Sequence, residues 1–141
     1  MIQEIMIINQ AGIALFYHDF IKNHKMDDKQ SLASYFDVIC RFTKQSFKES
    51  LRMLTLDSYM FFFYTHKSNF HLVMKCENKT LDKKTLEDIA EIIIEIFLEK
   101  YKEVLTDFNG EISQFSSFSD IIERILTSKI KQYKKTLILE Y

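Results

Sequence analysis

The chain has 141 residues, 47% of them apolar, 28% charged and 14% aromatic, and carries a formal charge of −1. That length suits one domain able to bury roughly two-thirds of the surface its unfolded form exposes. The Ile and Phe content excludes global disorder, and the near-neutral balance gives no whole-chain field to draw in nucleic acid or an anionic membrane.

With no proline and two glycines, turns must be marked by Asn, Asp, Ser and Lys clusters. The β-branched run 2–8 ends at Asn9-Gln10-Ala11-Gly12, where Gly12 is free to take positive φ, and 13–20 follows. Residues 2–20 read as a hairpin. Asp27 or Asp28 can cap a helix over 28–47 whose apolar residues Leu32, Phe36, Ile39, Cys40, Phe42 and Phe47 recur at helical spacing. Three strands come next: 51–56, 59–65 after an Asp57-Ser58 turn, and 70–76 after His66-Lys67-Ser68-Asn69. In the last of them apolar residues alternate with His71, Val73 and Lys75, the period of a half-buried strand.

Asn78-Lys79-Thr80 ends the sheet. Thr80 or Asp82 caps a long helix over 82–105, striped by Leu86, Ile89 or Ala90, Ile93, Phe97, Tyr101 and Val104. Glu87, Glu91, Glu95 and Glu99 form a solvated ridge opposite. A loop at 107–110 precedes a last helix, capped by Ser117 or Ser119 and bearing Ile121, Ile122, Ile125 and Leu126. The order is β-β-α-β-β-β-α-α: an α+β domain over 1–130 with a five-stranded antiparallel sheet and helices on both faces. Residues 131–141 form a basic, then apolar, C-terminal tail.

Chemistry-bearing residues are sparse. Cys40 and Cys76 form no CxxC pair and read as reduced core thiols of a cytoplasmic protein. No secretory signal pattern opens the sequence, and the most apolar window, 89–98, is broken by Glu91 and Glu95. His18, His24, His66 and His71 match no zinc spacing and read as surface imidazoles near turns. Nothing near Cys40 activates it as a nucleophile. Asp27, Asp28 and Asp107 are explained as caps or solvated loop residues. Neither GxGxxG nor GxxxxGK[ST] occurs, so no phosphate loop is present. The aromatics of 59–64 lie on both faces of their strand, which suits a core and not a base-stacking sheet. No catalytic, cofactor-binding or metal-ligating set emerges.

The opening Ile2-x-x-Ile5-x-Ile7-Ile8-Asn9-x-Ala11-Gly12, followed by Leu15-Phe16, resembles the first hairpin of the longin family, and clathrin-adaptor small (sigma) subunits in particular. The later half resembles the longin-type domain of the signal-recognition-particle receptor α subunit. There the matching stretches are 54–63, 97–101 and Phe108-Asn109-Gly110…Phe115-x-x-Phe118…Ile122…Leu126. The likeness implies strand order 2-1-5-4-3, the helix 28–47 alone on one face, and a non-enzymatic protein-binding module with no cofactor. Its implied partner is a small GTPase or another longin- or roadblock-type subunit, in a homo- or heterodimer, in a vesicle-trafficking adaptor or GTPase-regulatory setting. Nucleic acid is not an expected partner, and membrane association is peripheral at most.

By position, the family's groove between first helix and edge strand falls here on Phe42, Phe47, Leu51, Arg52 and Met53. Lys131, Lys134 and Lys135 offer a contact for an anionic surface. The alternative class is a PAS- or profilin-like ligand sensor, which needs a ligand-sized cavity inside the sheet–helix core.

Overall fold

The computed structural model describes residues 2–22, 28–78 and 81–139, with side chains as far as Lys129. His24, Asp27, Lys79 and Thr80 lie outside the described residues. The chain divides into two compact units, 1–81 and 82–141.

In the first unit, β1 (Ile2–Ile8), β2 (Ala14–Asp19), β3 (Met53–Thr55), β4 (Tyr59–Thr65) and β5 (His71–Glu77) form one antiparallel sheet. The strand order is β2-β1-β5-β4-β3, the order the longin likeness implies. β1 lies next to β5 and β2, and all seven of its residues are buried, the polar Gln3 and Glu4 included. The first turn is tied by the Asn9 carboxamide, whose Oδ1 accepts from the amides of Ala11 (3.0 Å) and Ile13 (2.9 Å). Gly12 sits there at φ +80°, a conformation costly to any residue with a Cβ. A register shift between Ile7 and Ile8 follows. Next to it the Gln30 carboxamide pairs with both backbone groups of Ala14, at 2.9 and 3.0 Å, so this outer strand is not left with open polar groups there.

α1 spans Lys29–Phe47. Asp28 caps it, accepting from the Ser31 amide at 3.0 Å and the Ser31 hydroxyl at 2.6 Å, and these bonds hold its carboxyl below the usual carboxylate range. Lys48, at φ 60°, turns the chain out of the helix. One side of α1 packs Ala33, Phe36 and Cys40 onto Met6, Ile8, Phe63 and Val73, with Leu32, Ile39, Leu51, Leu54 and Phe61 partly buried around them. The Phe36 ring lies 5.2 Å from Phe61 and 5.3 Å from Phe63, aromatic contacts that add to the area buried. Ile5, Ile7, Phe62, Leu72 and Met74, the alternate residues of the same strands, are buried too.

In the second unit, α2 (Lys83–Lys100) is capped by Asp82, which accepts from the Thr85 amide at 2.7 Å. Leu86, Ile89, Ala90, Ile93, Ile94 and Phe97 are its buried residues. The expected single helix over 82–105 is interrupted at Tyr101, and a separate short α3 covers Lys102–Thr106. Tyr101 there joins Phe97, Phe115 and Phe118 in an aromatic cluster with centroids 5.0–6.0 Å apart, and its hydroxyl meets that of Ser117 at 3.0 Å. A 3-10 turn, Ile112–Phe115, leads into α4 (Phe118–Leu139). Residues 131–139 of the segment read as a tail thus continue a helix; their side chains lie outside those described.

Candidate functional site

α1 has a second apolar stripe that nothing in its own unit covers. At 100° per residue, Tyr35, Val38 and Phe42 fall within about 60° of one another on the side away from Phe36 and Cys40. Val38 is 61% and Phe42 63% exposed. Phe47 is 68% exposed but lies about 140° round the helix from Phe42. The chain then reaches β3, the outer strand. Phe63 donates to the Arg52 carbonyl and Leu56 to the Tyr59 carbonyl, both at 2.8 Å. The even-numbered residues therefore pair with β4, and the backbone groups of Met53 and Thr55 face the open edge.

The structure scatters the groove residues expected from sequence. Leu51 is half-buried against the α1 core cluster, and Leu54 shares that side. Alternation along the strand then sends Met53, paired with Phe62, to the opposite face of the sheet. Met53 is 41% exposed, and Arg52 is exposed between the two. The coherent apolar patch is the Tyr35–Val38–Phe42 stripe. Its sequence signal was available, because apolar residues of α1 occupy more of the helix circumference than one sheet can cover. The positions of Lys131, Lys134 and Lys135 fall within the final turns of α4.

Beneath the C-terminal half of α1 lies a polar cluster that sequence reasoning missed. Asp37 is 4% exposed and His71 6%, so His71, and His66 with it, are not the surface imidazoles expected. His71 Nε2 meets Asp37 Oδ1 at 3.2 Å and Nδ1 meets the Thr65 hydroxyl at 2.9 Å; in the neutral imidazole Nε2–H therefore donates to the carboxylate and Nδ1 accepts from the hydroxyl. The Arg41 guanidinium clasps Asp37 Oδ2 through Nε, at 3.0 Å, and Nη2. Burial pushes the His71 pKa down despite the neighbouring Asp37 carboxylate, whose charge Arg41 already neutralises. Hydroxyl, imidazole and carboxylate stand in sequence, but an imidazole depressed in this way is a weak base. The cluster instead fastens α1 to β5 and fixes the direction of Arg41.

A cavity of about 340 Å³ opens beside this cluster, lined on α1 by Asp37, Cys40, Arg41 and Lys44 and completed by Leu51 and Asn69 among others. Burial and the Asp37 charge push the Cys40 thiol up to about 12, so it forms an uncharged wall. Among the described residues, no three His, Cys, Asp or Glu side chains are placed to hold a metal ion, and no helix is long and apolar enough to cross a membrane.

No protein-family model matches the sequence, and no curated protein matches it. Among solved structures, the chain is similar to a roadblock/LC7 domain from Streptomyces avermitilis, with 16% identity over 72% of this chain and 86% of that one and a TM-score of 0.55. The fold is of the roadblock type. A likeness to the gliding protein MglB of Thermus thermophilus is weaker, with 13% identity over 64% of this chain and 78% of that one and a TM-score of 0.48. The roadblock-type fold is one of the longin-like arrangements, so the coarse resemblance seen in the sequence holds, while nothing singles out adaptor sigma subunits or the signal-recognition-particle receptor. The exposed stripe lies on α1 and the cavity beside it, while the open edge belongs to β3.

Proposed function

We propose that this chain is a non-enzymatic, cytoplasmic protein-binding module, a regulatory or adaptor subunit that engages a small GTPase through the outer stripe of α1, with the open edge of β3 as a second contact. The observation that carries this reading is the Tyr35–Val38–Phe42 stripe: contiguous exposed apolar side chains on a well-formed helix contribute nothing to folding and mark interaction surfaces. The edge strand adds backbone groups able to pair with a partner strand. The choice of a GTPase rests on the longin resemblance of the hairpin and the later half.

The test uses the purified full chain and purified small GTPases from the same source, each loaded with GDP or a non-hydrolysable GTP analogue. One GTPase is expected to bind with a preference for one nucleotide state. Val38→Ser with Phe42→Ser is expected to abolish that binding and to shift Tm by no more than about 4 °C, since each exposed substitution stays within about 0.5 kcal/mol. Phe47→Ser, exposed but about 140° round the helix from Phe42, serves as the contrast and is expected to leave binding unchanged. Failure of every GTPase in both states refutes the partner. Unaltered binding by the folded Val38/Phe42 variant refutes the surface.

A further inference from the structure

The cavity beside Asp37 and His71 has no part in the partner surface just described, yet its walls are chemically specific. Asp37, Arg41 and Lys44 follow at spacings of four and three, so they line one side of α1. Arg41 is held by Asp37 through two of its nitrogens. Among the described residues no other group takes its remaining guanidinium hydrogens. Asp37 is itself anchored by His71 and is buried, so the guanidinium is presented in a fixed direction, the arrangement that favours bidentate recognition of a planar anion.

Lys44 has no acidic partner among the described residues. Asp37 and Arg41 cancel, and His71 and Cys40 are neutral. The uncompensated charge at the cavity is therefore one positive charge, that of Lys44. A cation is repelled there. A dianionic phosphate would lack the glycine-rich backbone cradle or helix N-terminus that usually receives it. Against these polar groups stand the apolar Leu51 and the protonated Cys40 thiol. The volume, about 340 Å³, is at the small end of the range of ligand sites, about 300–1,000 Å³.

We propose that this cavity binds a small organic carboxylate, with its charged end against Arg41 and Lys44 and its carbon skeleton against Cys40 and Leu51. Such a carboxylate arrives either as a free acid or as the side chain of an acidic residue on a docked protein. The chemistry is the same in both cases, and the experiment separates them.

The full chain, labelled with ¹⁵N, is titrated with isovalerate and benzoate as free acids, with a glutamate tripeptide blocked at both ends as the side-chain form, and with isovaleramide and benzamide as uncharged controls. Saturable shifts are expected at the amides of Cys40, Arg41, Lys44, Leu51 and Asn69, complete at millimolar concentration and absent with the amides. Loss of one charge-assisted contact should weaken binding about ten-fold in Lys44→Gln, and similarly in Arg41→Gln. Lys44 is solvent-facing, so its variant keeps the test valid if Arg41→Gln disturbs Asp37. Binding by the free acids alone assigns a free metabolite, and binding by the blocked peptide assigns a partner side chain; both support the proposal. No saturable shift with any carboxylate overturns it, as do shifts that the amides reproduce or that Lys44→Gln leaves unchanged. None of these outcomes depends on a GTPase binding elsewhere on α1.

Discussion

Replacing Gly12 by alanine probes the junction that aims Arg41. Gly12 sits at φ +80°, and a Cβ built there lies 3.0 Å from Asp37 Oδ2. The left-handed backbone costs an L-residue about 1–2 kcal/mol, and lower chain entropy in the unfolded state returns about 0.4–1 kcal/mol. The close contact adds to this, because Asp37 is pinned between His71 and Arg41 and cannot yield freely; overpacking of this kind costs about 1–3 kcal/mol. The net loss is about 2–3 kcal/mol, or roughly 8–12 °C in Tm at about 4 °C per kcal/mol for a chain of this length. Gly110 provides the control: it has φ +91°, but nothing lies within 4 Å of its added Cβ. Gly110→Ala carries only the backbone penalty, net about 0.5–1 kcal/mol. Urea unfolding at 25 °C, followed by far-ultraviolet circular dichroism, measures both. In an Asp37→Ala background, the Gly12→Ala loss should shrink toward the Gly110→Ala value. Equal losses for the two glycines in the wild-type background would refute the crowding against Asp37.

Phe36→Ala, which removes the ring between Phe61 and Phe63, should cost about 3–5 kcal/mol in chemical denaturation. His71 protonates less readily folded than unfolded, so the unfolded state takes up the proton first as pH falls. The stability it contributes is full above about pH 6.5 and declines as pH drops through its lowered folded value. Tm measured from pH 7.5 to 5.5 should fall, and His71→Gln, with Asp37, Arg41, Cys40 and Thr65 left in place, should flatten that fall. Burial raises Cys40 to about 12 and Cys76 to about 11, so a thiol reagent at pH 8 should react with neither until denaturant is added; rapid labelling of the native chain would contradict their placement.

The strands and caps were legible because their signals are local. Ile2–Ile8 and Tyr59–Thr65 appear where the sequence placed them, and Asp28 and Asp82 cap their helices through bonds to residues three positions on. What escaped were pairings between distant residues. Asp37 reads as an ordinary helix carboxylate until β5 delivers His71 against it, 34 residues later. His66 and His71 flank a turn, which in sequence suggests solvent, although the strand that follows begins beneath α1. The groove residues failed to gather for a different reason. Their spacing carries no information on which face of a three-residue strand each occupies, and β3 proved shorter than the expected 51–56. The break at Tyr101 likewise depends on Phe115 and Phe118, which come after the helix is over.

The interior position of β1, between β2 and β5, bears on how the chain comes to be folded. Its hairpin partner β2 follows within a few residues, but its other neighbour, β5, is roughly sixty to seventy residues downstream. Closing a loop of that size in place of one of about eight residues takes some three doublings of length, or about 2 kcal/mol of additional chain entropy. Pairing of β1 with β5 is therefore a late event, and a chain emerging from the ribosome holds a seven-residue strand, rich in isoleucine, with one edge open until Glu77 has been released. In that interval the nascent chain is at its most adhesive. The length of chain made before that edge can close is thus set by where β5 lies in the sequence.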